Sequence, residues 1–196
     1  ALESYRDQLS AFPQIVWVSE EILRDLADTQ TPQGIVAVIQ KEEVGPPDFS
    51  QGKFLFLEDV QDPGNVGTMI RTADAAGLTG VIVSDKSADI YSLKTLRSMQ
   101  GSHFHLPIYR MPVATFIEEA KKSNLPILAT TLSRDSKDYR ELSPLENFAL
   151  VMGNEGQGIS PIMAESANQL VHIGMKGRAE SLNVAVAAGI LMFYFS

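Results

Sequence analysis

At 196 residues, 44 % of them hydrophobic, the chain has room for one ordinary domain, or for one domain and part of another. The absence of cysteine excludes disulfides, thiolate metal sites and cysteine nucleophiles, and no apolar run approaches the roughly 20 residues a membrane helix needs. A formal charge of −8 counts, as an average, against a nucleic-acid partner, whose phosphates draw on Lys and Arg, but it leaves a local basic surface open.

The opening residues, 1–8, are polar and unlike a signal peptide. No clear element precedes Ile15, which predicts a truncated or incompletely ordered N-terminus. Residues 15–18 read as a strand and 19–28 as a helix with Ser19 at its N-cap, followed by a strand at 35–39. Gly45, Pro46, Pro47 and Gly52 mark 44–52 as the best linker in the chain. After it strands and helices alternate. Strands are predicted at 54–57, 80–84, 106–109, 126–130, 148–152 and 170–173. Helices are predicted at 66–76, 93–99, 114–122, 161–167 and 181–195. This alternation predicts an α/β fold, a mostly parallel sheet with helices on both faces. The strands are continuous apolar runs, as strands buried on both sides should be.

Three loops stand out, each after a strand, where open α/β sheets bind ligands. The first runs from Glu58 to Gly67. Pro63-Gly64 sets a tight turn, Asn65 suits a helix cap, and Arg71 lies about two turns on, placed to reach a phosphate or an oxyanion. From spacing alone, an ordinary turn and cap with a surface arginine is the better reading. The second is Gly153-Asn154-Glu155-Gly156-Gln157-Gly158. Its glycines admit close backbone approach. Its spacing is neither the dinucleotide fingerprint nor a P-loop. With a carboxylate and no Lys or Arg, it suits a neutral or cationic ligand better than a polyphosphate. A plain turn with an exposed Glu remains the alternative. The third runs from Ile173 to Asn183 into a helix that is apolar nearly all round and so expected to be buried. Ser181 can cap that helix, and Asn183 falls in its first turn, where a buried amide needs partners. His103 and His105 sit two apart, but with His172 as the only other histidine a metal site is not expected. Lys94 and Arg97 are candidates for RNA contact or plain solvated residues.

Taken together, the loops resemble the motifs of the SpoU methyltransferases, of the SPOUT class. Asp62-Pro63-Gly64-Asn65-Val66-Gly67-Thr68-Met69-Ile70-Arg71-Thr72-Ala73 resembles the first motif, Gly153 to Gly158 the second and Ile173 to Ala187 the third. The resemblance covers roughly 53–196. The segment 31–38 is similar to the family's exit from an N-terminal RNA-binding domain. The implied domains are 1–45, the end of that domain with its linker, and 46–196, the catalytic domain. Gly174 departs from the family's usual proline, which predicts a looser loop. The resemblance implies a C-terminal trefoil knot, an exception to the usual rule. It also implies a homodimer, a cytoplasmic location, and S-adenosyl-L-methionine as methyl donor to a ribose 2′-hydroxyl. The RNA is expected to be ribosomal, of the large subunit, with tRNA second. Carried over position by position, Thr130, Gly153, Ile173, Met175 and Leu182 are expected to touch the donor. Asn65, Arg71, Glu155, Ser181 and Asn183 form the catalytic and substrate group. The alternatives are a ribosome- or RNA-binding module that keeps the pocket without turnover, and a conventional nucleotide or NAD enzyme. The second would need a glycine fingerprint after the first strand, which Asp62-Pro63-Gly64-Asn65 does not supply.

Overall fold

The computed structural model describes Leu9, Phe12, 14–27, Thr29, 31–41 and 44–196. The chain divides into two compact units, Ala1–Glu43 and Val44–Ser196. The polar opening at 1–8 lies outside the described residues, as does Asp28 at the end of the first expected helix.

In the first unit, α1 spans Glu20–Ala27, and Ser19 Oγ accepts the Ile22 N–H at 3.3 Å, the cap its sequence predicts. The two strands expected here do not form. Residues 15–18 and 35–39 have no strand pairing among the described residues, and Trp17 and Val38 are exposed. An apolar β-branched run only favours extension. A strand forms when a neighbour takes its N–H and C=O groups.

The second unit contains β1 (Lys53–Leu57), α2 (Pro63–Ala75), β2 (Gly80–Val83), α3 (Leu93–Met99), β3 (Ile108–Arg110), α4 (Val113–Lys122), β4 (Ile127–Thr130) and β5 (Lys137–Asp138). It continues with β6 (Phe148–Met152), α5 (Pro161–Ser166), β7 (Gln169–His172) and α6 (Val184–Phe195). The strands form one sheet in the order β3-β2-β1-β6-β4-β7-β5, and every pairing is parallel. All carboxyl ends therefore open on one edge. β5 has no counterpart in the sequence reading, because Lys137-Asp138 carries no apolar signal; it forms by pairing with Val171 and His172 of β7.

Alternate residues of each strand feed two cores. Leu55, Leu57, Val81, Leu150 and Met152 pack under α2 and α6. Phe54, Phe56, Ile82, Ala149 and Val151 pack with Phe116 and Ile117 of α4 and Met163 of α5. Phe56 stacks on Phe116, with ring centroids 4.1 Å apart. Burial on both faces is why these strands read as unbroken apolar runs.

Two helix starts differ from expectation, and both differences shape the site. α2 begins at Pro63, three residues earlier than the apolar pattern suggests. Asp62 is its N-cap and accepts the Asn65 N–H at 3.0 Å. Proline suits the first helical position, where its missing N–H costs nothing. Asn65 is thus not the cap, and its amide is free for other work. At the other end Asn183, not Ser181, caps α6, accepting the Ala185 and Val186 N–H groups at 2.9 and 3.3 Å. Nor is α6 buried all round, since Val186, Ile190 and Phe193 are exposed.

Candidate active site

The loop leaving β1 and the turn leaving β6 are sewn together at the carboxyl edge of the sheet. Asn154 Nδ2 donates to the Asp59 carbonyl at 2.8 Å, while its Oδ1 accepts the Gly156 and Gln157 N–H groups at 2.9 and 3.0 Å. Asp59 itself is left-handed, φ 56°, a conformation Asp tolerates better than most residues, and Ser84 Oγ donates to its carboxylate at 2.7 Å. Beside it Glu58, only 2 % exposed, accepts the Ser160 N–H at 3.2 Å with one oxygen. Its other oxygen has no hydrogen-bond partner among the described residues. Burial pushes the Glu58 carboxyl above its ordinary pKa, against the Ser160 hydrogen bonds. Gly153 closes the turn. A Cβ there would lie 2.3 Å from the Gly158 carbonyl carbon, so only glycine lets the two backbone stretches meet.

On this seam Glu155 organises the expected catalytic residues. Its carboxylate accepts the Gln61 and Asp62 N–H groups, each at 3.2 Å, and Asn65 Nδ2 at 3.0 Å. Asn65 Oδ1 in turn accepts Asn183 Nδ2 at 3.1 Å. The amide orientations follow from chemistry. Asn183 must turn its oxygen to the helix N–H groups, and a carboxylate can only accept. Hydrogen bonds therefore run one way, from the N-terminus of α6 through Asn183 and Asn65 to Glu155. Burial raises the Glu155 pKa, but the hydrogen bonds from Asn65, from its own N–H and from Gln61 and Asp62 outweigh it, and the carboxyl is held below its ordinary value.

These groups border a cavity of about 540 Å³, within the usual range for a small-molecule site. Its wall includes all five expected donor-binding positions, Thr130, Gly153, Ile173, Met175 and Leu182, together with Glu155, Ser181 and Asn183. Asn65 reaches the wall only through its two side-chain hydrogen bonds. Arg71 does not line the cavity. It stands exposed further along α2, and its side chain has no hydrogen bond or ion pair among the described residues. Apolar side chains, among them Met152, Val171 and Leu191, make the floor, and no Lys or Arg lines the wall. The lining suits a ligand with an apolar body and a positive or neutral polar end, not a polyphosphate.

The loop after β7 is tethered, not loosened. Gly174 donates its N–H to Asp138 Oδ2 at 3.2 Å, a bond proline could not make. His172 Nδ1 lies 2.9 Å from Ser136 Oγ, and Thr130 Oγ1 donates to the Val151 carbonyl at 2.9 Å. The discounted histidines have local roles: His105 pairs with Asp74 at 3.0 Å, and the His103 ring packs on Phe104 at 4.0 Å. Sequence reasoning missed Asn154, Asp138 and Glu58. For Asn154 a signal existed, an Asn inside a glycine turn, which commonly closes on its own backbone. For the other two the partners lie 36 and 102 residues away in the chain, and no local pattern points to them.

Parallel strands, a ligand cavity at their carboxyl ends and three converging loops define an open α/β fold that holds its ligand at the strand ends. The model of the SpoU rRNA methylase family matches residues 52–193. A Bacillus subtilis protein, 23S rRNA (guanosine(2553)-2′-O)-methyltransferase RlmP, is 42 % identical over 181 residues, 92 % of this chain and 72 % of that protein. Among solved structures, the AdoMet-bound rRNA methyltransferase from Sinorhizobium meliloti superposes with a TM-score of 0.86 at 34 % identity, covering 98 % of this chain and 76 % of that one. AviRb from Streptomyces viridochromogenes, in complex with AdoMet, gives 0.82 at 30 % identity, covering 96 % and 75 %. The chain belongs to the SpoU rRNA methylase family.

Proposed function

We propose that the protein transfers a methyl group from S-adenosyl-L-methionine to a ribose 2′-hydroxyl of RNA, with large-subunit ribosomal RNA as substrate. The observation that carries this reading is the one-way chain Asn183–Asn65–Glu155 at the rim of a cavity free of Lys and Arg. Similarity to a 23S rRNA 2′-O-methyltransferase over 92 % of the chain supports the RNA and the acceptor. A 2′-hydroxyl restricts the substrate to RNA.

When bound, the donor supplies a methyl carbon on a positively charged sulfur. This chain's residues do the positioning. The apolar floor excludes water, which favours a step in which a developing negative oxygen meets a positive sulfonium. Glu155 locks Asn65 and Asn183, and each of those amides keeps one N–H to orient the ribose. The Ser181 hydroxyl stands at the rim without a hydrogen bond among the described residues. The Arg71 guanidinium is a permanent cation and a poor base. Its role is to stabilise charge on the RNA at the developing alkoxide or the neighbouring phosphate. The proton leaves to solvent or to an RNA phosphate.

The unit 1–45 is read as the end of an RNA-binding domain and 46–196 as the catalytic domain, with the loop after β7 forming the knot. A basic stretch supports RNA docking beside the site: from Lys86 to Arg110 there are four Lys and Arg against one Asp, in a chain of net charge −8. Lys94 of this stretch pairs with Asp62, next to Asn65, at 3.0 Å. The open apolar face of α6, at Val186, Ile190 and Phe193, supports reading the protein as a homodimer. No helix among the described residues is long and apolar enough to cross a membrane, and the cytoplasm is the proposed location.

The test is methyl transfer from labelled S-adenosylmethionine to ribosomal RNA by the full chain and by Arg71→Ala. The variant should keep donor affinity within a few-fold and lose about 100-fold or more in turnover, the scale of a lost charge-stabilising group. Collapse of donor affinity with turnover intact at saturation would overturn the role of Arg71. No transfer by the wild type to any RNA would favour a binding module that kept only the pocket.

A further inference from the structure

We propose that Asp138 is a positioning residue for methyl transfer, fixing the donor-binding loop at Gly174 through its carboxylate. This rests on the reading of the cavity as an S-adenosylmethionine site. Gly174 sits between Ile173 and Met175, both in the cavity wall. Its N–H donates to Asp138 Oδ2 at 3.2 Å, and Asp138 is not part of the cavity wall. A Cβ on residue 174 would lie 2.5 Å from that same oxygen, so the close approach requires glycine.

The carboxylate is itself held. Arg140 grips both oxygens, Nε on Oδ1 at 2.8 Å and Nη2 on Oδ2 at 2.7 Å, and the Arg140 N–H adds a third bond to Oδ1 at 3.0 Å. Such a two-pronged grip fixes direction as well as distance. The Asp138 side chain is 13 % exposed and Arg140 48 %, so the guanidinium covers the acid from the solvent side. The Arg140 hydrogen bonds hold the Asp138 carboxyl far below the usual carboxylate range, so it stays ionised wherever the enzyme works.

The segment is anchored at both ends. Asp138 pairs with His172 where β5 meets β7, two residues before the loop it holds. Further on, Tyr194 of α6 donates its hydroxyl to the Leu142 carbonyl at 2.8 Å and packs edge-on against Tyr139 at 4.8 Å. Residues 137–142 thus join the donor loop to the helix that Asn183 caps. The clasp sets the height of Ile173 and Met175 against the turn at Gly153 without touching the ligand.

The experiment uses the full chain as wild type, Asp138→Ala, Asp138→Asn and Gly174→Pro. It measures S-adenosyl-L-methionine binding by calorimetry, amide exchange across 173–177, KM for donor against kcat, and thermal unfolding. Loss of one charge-assisted hydrogen bond predicts about tenfold weaker donor binding in Asp138→Ala and Gly174→Pro. KM for the donor should rise in parallel while kcat at saturation holds within about threefold. Exchange at 173–177 should quicken in Asp138→Ala. Asp138→Asn, which keeps an acceptor for Gly174, should recover part of the affinity. Unchanged affinity in Asp138→Ala overturns the proposal, whether or not exchange quickens. If Asp138→Ala fails to fold, Arg140→Ala takes its place, with several-fold weaker binding expected and unchanged binding overturning the idea. A wild type that binds no S-adenosylmethionine refutes the cofactor reading, and with it the clasp as an aid to that cofactor. A wild type that binds it but is indifferent to residue 138 refutes the clasp alone.

Discussion

Glu58 and Glu155 carry the same side chain into opposite surroundings at the same edge of the sheet. Glu155 accepts three hydrogen bonds, two from the loop after β1 and one from Asn65 of α2, and its pKa is held below the ordinary value. Glu58 is buried with one oxygen unpartnered, and its pKa is raised by that burial. The sign of its effect on stability follows. Below the ordinary value of 4.5 both folded and unfolded chains are protonated, and Glu58 carries no penalty. As pH rises from there through the raised folded value, the unfolded chain ionises first and the fold loses stability. Glu58→Gln cannot ionise and keeps an acceptor for Ser160. Its melting temperature should match the wild type near pH 4 and exceed it near pH 8, by an amount on the order of 1–3 kcal/mol of stability. Thermal scans of both proteins across that range check this. Equal curves at every pH would mean that Glu58 finds a partner or water for its second oxygen.

Among the elements, those buried on both faces were the most legible. Residues 54–57 and 148–152 are apolar without a break because α2 and α6 cover one face and α4 and α5 the other. Helix starts were less so, because Asn65 and Ser181 are good caps in isolation while Asp62 with Pro63, and Asn183, are the ones used. That misplacement hid what Asn65 does. A cap commits its side-chain oxygen to its own helix, whereas Asn65, inside the first turn, has its oxygen for Asn183 and its amide nitrogen for Glu155. Gly67 shows the opposite conflict between local and tertiary preference. Alanine is the better helix former by about 1 kcal/mol. Yet a Cβ on residue 67 would lie 2.5 Å from Ser98 Cβ and 2.6 Å from the Thr95 carbonyl of α3. The backbone oxygen cannot move aside without displacing α3. Gly67→Ala should therefore lower stability by about 1–3 kcal/mol despite its propensity, read as a drop in the denaturation midpoint. A gain instead would show that α2 and α3 separate freely.

At the scale of the whole molecule, composition misled in one respect and local pattern in another. The net charge of −8 spoke against RNA, but the stretch from Lys86 to Arg110 runs against that average, with four Lys and Arg and one Asp. The apolar closing helix predicted full burial, yet Val186, Ile190 and Phe193 stand 52, 36 and 59 % exposed. Their spacing of four and then three residues places them in one stripe. A contiguous apolar stripe is unusual on a monomer's surface and is the common mark of an association face. A second copy is the occupant proposed here, because the same face on both partners makes a closed twofold contact. The protein should then run as a dimer in light scattering at micromolar concentration. Phe193→Glu would place a carboxylate at the most exposed member of that stripe, outside both cores, so it should yield a folded monomer with an unchanged circular dichroism spectrum. If pairing also brings Arg71 to the second copy's site, that monomer should bind S-adenosylmethionine and lose turnover. A wild type that is monomeric, or a Phe193→Glu variant that stays dimeric, would require another occupant for the stripe.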